Sequence, residues 1–254
     1  MNKTYSMDGV QAILSYPFKL PGWQSKFLIG AALFFANYFV PILPGILVTG
    51  YFAQIMRSVI VDHAEPTLPE WADWGKLFSR GLKLTCATTI YLLPAILLIV
   101  VGYLMMYVPL IIASLSSGYD SSSSMDGASV IGLLVGMGML FLGLILYFPL
   151  LLILPPALTH LVAKDSFTAA FRITEWSAIL RANFWGFFTA FAIITGLYTI
   201  LIMIVYVFYF TIILCFLLPI GLSGIVIYLS VISAPLLGEA YRKGVENLAA
   251  ETAK

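Results

Sequence analysis

The residues of this chain that could do chemistry are few. Its only histidines are His63 and His160, its only cysteines are Cys86 and Cys215, and Asp and Glu together number 12 in 254 residues. A metal or haem centre draws its ligands from clusters at recurring spacing. Two unrelated histidines and two cysteines set in apolar sequence do not form such a cluster. Glu70, Asp73 and His63 lie near one another in sequence, as the acid and base of an interfacial enzyme would, yet no spacing among them defines a reaction. There is no nucleophile–base pair and no nucleotide or phosphate loop. The inventory therefore predicts a non-catalytic protein that needs no cofactor. His160, which follows Pro155 and Pro156, reads as a satisfied histidine near a membrane boundary, and the cysteines read as small hydrophobes rather than as a disulfide.

The elements around these residues are unmistakably apolar. Phe27–Met56, Leu84–Ala113, Gly127–Ala163 and Ala182–Gly238 contain no Lys, Arg, Asp or Glu, and each exceeds the roughly 20 residues a helix needs to cross the hydrocarbon core. With 61% hydrophobic and 10% charged residues, the chain falls among polytopic membrane proteins. The expected architecture is all-α: one membrane domain over residues 1–254, with four to five transmembrane helices and short interfacial amphipathic helices. The polar remainder comprises the first 26 residues, Arg57–Lys83, Ser114–Asp126, Lys164–Arg181 and the tail from Glu239. None is long enough for a separate soluble catalytic domain. The N-terminus lacks the core of a secretory signal, so no cleavage is expected there. A net charge of +1 gives no reason to invoke nucleic acid. No membrane carboxylate accompanies His160, and within the apolar blocks the polar groups are Asn37, Gln54, Asn183 and scattered Ser and Thr, whereas ion-coupled carriers and proton relays normally keep an ionisable residue in their spans.

Lys and Arg flank every block except along Ser114–Asp126, which has none. By the positive-inside rule that serine-rich loop lies outside, and the other polar segments, including the C-terminus, lie on the cytoplasmic side of the cytoplasmic membrane. The second block then crosses outward and the third inward. The fourth leaves and returns, with its turn near Tyr209–Thr211 or at Pro219, Gly221 and Gly224. The first block contains a break at Pro41, Pro44 and Gly45, which removes helix donors midway and favours two half-helices that dip in and come back. A competing clue is a 105-residue register that aligns Pro44 with Pro149, Glu70 with Glu175, Trp71 with Trp176 and Gly81 with Gly186. If segments 28–92 and 133–197 are a duplication, the first block crosses once.

Two polar segments are patterned. In Thr67–Lys83, Thr67 and Glu70 have the spacing of a capping box, and Trp71, Trp74 and Phe78 recur on one helical face opposite Asp73, Lys76 and Arg80. Such tryptophans prefer the headgroup region, so these residues, together with Trp176 of the matching segment Lys164–Arg181, are expected to be interfacial anchors. In that second segment Asp165 or Ser166 is available as a cap. A third short helix is expected over Asp8–Tyr16, ended by Pro17. Ala128, Gly132, Gly136 and Gly143 strip one face of the third block of bulk, so that another helix can approach closely, either within this chain or from a second copy. Arg57 is the lone basic residue of RSVIVDHAE, which gives that loop little hold on anionic lipid.

The motifs YPFKLPGWQSKFLIGAALFF, PILPGILVTGYFAQIMRSVI, LPEWADWGKLFSRGLK and DSFTAAFRITEWSAILRANFWGF, with the ending YLSVISAPLLGEAYRKG, resemble in their order a prokaryotic membrane-protein family designated domain of unknown function 4013. The resemblance covers nearly the whole chain and implies one all-helical domain in the cytoplasmic membrane, without an activity or a site. The reading that follows is a scaffold or accessory subunit whose partners are membrane lipid and another membrane protein or itself. The alternative is a passive channel or carrier for a small neutral or apolar solute, with the Pro41–Gly45 break lining a cavity.

Overall fold

In the computed structural model, which describes residues 7–116, 127–209 and 217–253, all the regular structure among the described residues is helical, with no strand. In order come α1 (Met7–Lys19), α2 (Trp23–Ala36), α3 (Leu43–Ile60), α4 (Trp74–Ser116) and α5 (Gly127–Lys164). A 3₁₀ turn (Phe167–Phe171) then leads to α6 (Ile173–Ala182), α7 (Phe184–Tyr209) and α8 (Leu218–Thr252). Five of these helices, α3, α4, α5, α7 and α8, carry stretches long and apolar enough to cross a membrane. The chain is thus an all-α polytopic protein of the membrane class. Two compact units divide it, Met1–Ala87 with Pro155–Lys254, and Thr88–Leu154.

The first unit is organised around α8, against which α1, α2, α3, α6 and α7 pack. From Val231 to Gly238 this helix is buried at every residue, which suits a sequence that is apolar all round. Its one hydroxyl there, Ser233, donates back to the Leu229 carbonyl at 2.7 Å. Helix α1 is tied to it reciprocally: the Tyr16 hydroxyl donates to the Val231 carbonyl at 2.9 Å and the Tyr228 hydroxyl to the Leu14 carbonyl at 2.8 Å. The expected helix over Asp8–Tyr16 does form and continues through Pro17 to Lys19.

The first apolar block is a helical hairpin. Helix α2 spans roughly 21 Å at 1.5 Å per residue, short of a hydrocarbon core of about 30 Å, while α3 reaches about 27 Å. Between them the chain reverses through a γ-turn at Ile42, whose φ is 78° and ψ is −56°, with the Leu43 N–H donating to the Pro41 carbonyl at 3.0 Å. The Asn37 carboxamide accepts the Ile42 N–H at 3.0 Å and fixes the turn. Pro44 sits in the first turn of α3, where its missing N–H has no intrahelical partner to lose. Tyr38, Phe39, Val40, Ile42 and Leu43 are all exposed at this tip.

Two expectations are corrected. The Thr67–Glu70 capping box does not start a helix: residues 62–73 are non-helical, and α4 begins at Trp74, where the Asp73 carboxylate accepts the Lys76 N–H at 3.2 Å. The reason is tertiary. The Leu68 carbonyl accepts from Lys26 Nζ and the Pro69 carbonyl from the Tyr51 hydroxyl at 2.9 Å, so the carbonyls a helix would use are already held. The segment Lys164–Arg181 likewise does not form one helix from an Asp165 or Ser166 cap; it breaks at Arg172 between the 3₁₀ turn and α6. In the fourth block, α7 ends at Tyr209 and α8 starts at Leu218, so Pro219, Gly221 and Gly224 lie within a helix. Cys215 and residues 117–126 of the serine-rich loop lie outside the described residues.

In the second unit α4 and α5 run against each other through their small residues. A methyl group on Gly136 would lie 2.7 Å from the Gly102 carbonyl oxygen, and one on Gly102 would lie 2.7 Å from that of Gly136. Gly143 faces Ile99 and Ala95, and Gly132 faces Met105 and Pro109. The glycine stripe of the third block therefore packs against α4 of the same chain; the side chain of Ala128 is outside what the structure describes. The opposite faces carry exposed Leu104, Ile111, Phe141, Ile145 and Phe148, a surface that only a lipid-like surrounding or a membrane partner accommodates.

Candidate functional site

Three basic side chains of the first unit, Arg57, Arg80 and Lys83, converge on the end of α5. A helix leaves its final carbonyls without intrahelical donors. Here Arg57, from α3, supplies them: its Nη1 donates to the Val162 carbonyl at 2.8 Å and to that of Ala163 at 3.5 Å. Just beyond, Asp165 adopts a left-handed backbone with φ 49°, a conformation Asp tolerates better than bulkier residues. Its carbonyl and its Oδ1 each accept from Lys83 Nζ at 2.9 Å, and its Oδ2 lies 3.8 Å from Arg80 Nη2. Arg57, Arg80, Lys83, Asp165, Leu84 and Leu161 line a cleft of about 10 Å³, room for about one water.

Burial works to raise the Asp165 carboxyl, but the Lys83 hydrogen bond and the charges of Lys83, Arg80 and Arg57 outweigh it and hold the group below its ordinary value of 3.8. A carboxyl depressed in this way contributes stability that is complete above the unfolded pKa and is lost as the pH falls through the folded one. Acidification from about pH 5 to about pH 3 is therefore expected to lower the thermal midpoint of the detergent-solubilised protein. Asp165→Asn should start lower at neutral pH and show a smaller acid-induced fall. Parallel pH profiles for the two proteins would show that the pair contributes nothing.

One turn earlier on α5, His160 is 2% exposed. Its Nε2 is 3.0 Å from Glu175 Oε2 on α6, and its Nδ1 is 2.7 Å from the Tyr241 hydroxyl on α8. A carboxylate can only accept, so Nε2 carries the proton and Nδ1 of the neutral ring accepts the Tyr241 O–H. The His160 hydrogen bond, and after it the charge of Arg172 at 3.3 Å, draw the Glu175 carboxyl below its ordinary value. Hydroxyl, imidazole and carboxylate stand in the order of a nucleophile, its base and an orienting acid. The hydroxyl belongs to Tyr241, which is 4% exposed, so the line offers no open face to a substrate. What it does is bind three helices together.

The expected anchors divide. Trp71 is buried, stacked on Tyr51 with ring centroids 4.0 Å apart, and its indole N–H donates to the Lys26 carbonyl at 3.0 Å. Trp176 is also buried and donates to the Ala170 carbonyl at 3.0 Å. Trp74 and Phe78 are exposed. Trp71 and Trp176, which the 105-residue register equates, are thus both interior, and Arg57 touches Val162, which stands at its register position. Pro41, Pro44 and Gly45 form the hairpin tip and the start of α3; a methyl group on Gly45 would meet the Asn37 side chain at 3.2 Å. Glu70 pairs with Lys26 at 2.8 Å and Asp73 with Lys76 at 2.9 Å, while His63 is exposed on a left-handed backbone. Among the described residues no group of three or more His, Cys, Asp or Glu could hold a metal ion.

Reading along the sequence missed both clusters because their members are far apart, with Arg57 and Val162 separated by 105 residues and His160 and Tyr241 by 81. The one available signal was position: Arg57, Lys83 and Lys164 each abut an apolar block. A family profile described as a protein of unknown function, DUF4013, matches residues 33–210. No curated protein and no solved structure matches the chain.

Proposed function

Because the chain belongs to the DUF4013 family, we propose its role from its own geometry: a non-catalytic integral membrane protein that serves as a scaffold or accessory subunit of a membrane complex. The observation that carries this reading is what the polar side chains hold. Arg57, Lys83, Asp165, His160, Glu175 and Tyr241 are engaged in contacts between helices, while α4, α5 and α7 carry large apolar side chains that are exposed among the described residues. The absence of Lys and Arg from the serine-rich loop supports a multi-pass topology with that loop outside and the C-terminus inside, and the cytoplasmic membrane of a prokaryote is the setting that the family resemblance implies. Exposed Trp74 and Phe78 at the start of α4 suit an interfacial position. At the Pro41–Gly45 tip the Asn37 carboxamide oxygen is already taken by the Ile42 N–H and the neighbouring exposed side chains are largely apolar, which weighs against the carrier reading.

The test is to place a photo-crosslinking residue at Ile145, which is 67% exposed, and to irradiate cells before gentle solubilisation. A protein adduct of one discrete mass is expected, either with a second membrane protein or with another copy. Adducts to lipid alone would count against a scaffold. Saturable solute flux by the purified protein in liposomes would replace this reading with the carrier.

A further inference from the structure

We propose that the mouth of the cleft between α3, α4 and the end of α5, whose interior has room for about one water, binds the phosphate of an anionic phospholipid headgroup from outside through Arg80, backed by Arg57 and Lys83. Three cations surround a single carboxylate there, so the half-buried cluster carries an excess of two positive charges, and charges withdrawn from water need a counter-charge. Arg57 and Lys83 already have short bonds, to the Val162 carbonyl and to Asp165. Arg80 does not: among the described residues its one charged contact is Asp165 at 3.8 Å, although only 23% of its side chain is exposed. A guanidinium with its donors uncommitted at the mouth of a cleft matches the paired oxygens of a phosphate.

The position of the cleft selects a lipid rather than a solute. Arg57 directly follows the apolar block Phe27–Met56, Lys83 directly precedes Leu84–Ala113, and Asp165 lies one residue past Lys164, which follows Gly127–Ala163. Three block ends meet in this one place, where the hydrocarbon gives way to headgroups. The lone Arg57 of its loop thus acquires basic company from α4.

The full-length protein in a non-ionic detergent is titrated with phosphatidylglycerol and, separately, with phosphatidylcholine, and retained lipid is counted by native mass spectrometry. Saturable retention of phosphatidylglycerol over phosphatidylcholine is expected. Arg80→Gln should weaken it by about tenfold, the loss of one charge-assisted contact, and Arg80→Lys should recover part of it. Raising the salt from about 0.1 M to about 1 M should weaken retention by the wild-type protein as the Debye length shrinks from about 10 Å to about 3 Å; this reading stands whether or not a variant folds. Equal retention of the two lipids, or retention indifferent to both Arg80→Gln and salt, would overturn the proposal. Inorganic phosphate that displaces phosphatidylglycerol at comparable concentration would overturn the lipid as occupant and leave a free-phosphate site.

Discussion

Adding one methyl group at Gly81 is expected to lower the thermal midpoint of this protein by roughly 5–10 °C, the shift that corresponds to about 2–3 kcal/mol for a chain of this size. Helices α3 and α4 cross with backbone against backbone. A Cβ on Gly81 would overlap the Ile46 carbonyl oxygen and lie 2.8 Å from the Gly50 nitrogen, and a Cβ on Gly50 would overlap the Leu77 carbonyl oxygen. The obstacles are main-chain atoms of two helices, so no rotamer change relieves them. Alanine is otherwise the better helix former, by about 0.5–1 kcal/mol, which makes the sign of the effect diagnostic. Gly138 serves as the control, because a methyl group there meets nothing within 4 Å, and Gly138→Ala should be neutral or slightly stabilising. Circular dichroism melts of both variants in one detergent decide the matter; equal midpoints would mean that α3 and α4 are not this close.

The second large effect is expected at His160. His160→Ala removes a buried ring, leaves the Tyr241 hydroxyl without its acceptor and uncovers one side of Glu175, for a loss of about 3 kcal/mol. Tyr241→Phe keeps the volume and removes only the hydroxyl, costing about 1–2 kcal/mol because Nδ1 of His160 is then unpaired. Since each change breaks the same bond, the double variant should be more stable than the sum of the two by at least about 0.5 kcal/mol. The measurement is a double-mutant cycle on denaturation in detergent. Strict additivity would remove the hydrogen bond between them from the account of how α5 and α8 are joined.

The sequence alone determined the solvent of this protein and the class of its fold. Four charge-free blocks can be stable only where water is absent, and in that setting helices satisfy their own backbone, so an all-α polytopic architecture followed from composition and block length. The break at Pro41–Gly45 was legible for the same local reason, because proline removes donors wherever it stands. The direction in which the glycines of α5 face was not legible, since a small-residue stripe is equally ready for a partner in the same chain or in another. The tertiary structure decided that Gly136 meets Gly102. It also overrode a local signal: Thr67 and Glu70 have the spacing of a helix cap, yet Lys26 and Tyr51 capture the carbonyls of Leu68 and Pro69, and donors from elsewhere in the chain compete with the helix for the same acceptors. Trp71 and Trp176 were read as residues for the headgroup region, because period and amphipathicity cannot tell a membrane surface from a protein interior. The two charged clusters lay beyond sequence for the simplest reason. A lone histidine and a lone arginine acquire their meaning from partners on other helices, and only the packing of α3, α4, α6 and α8 around the end of α5 supplies those partners.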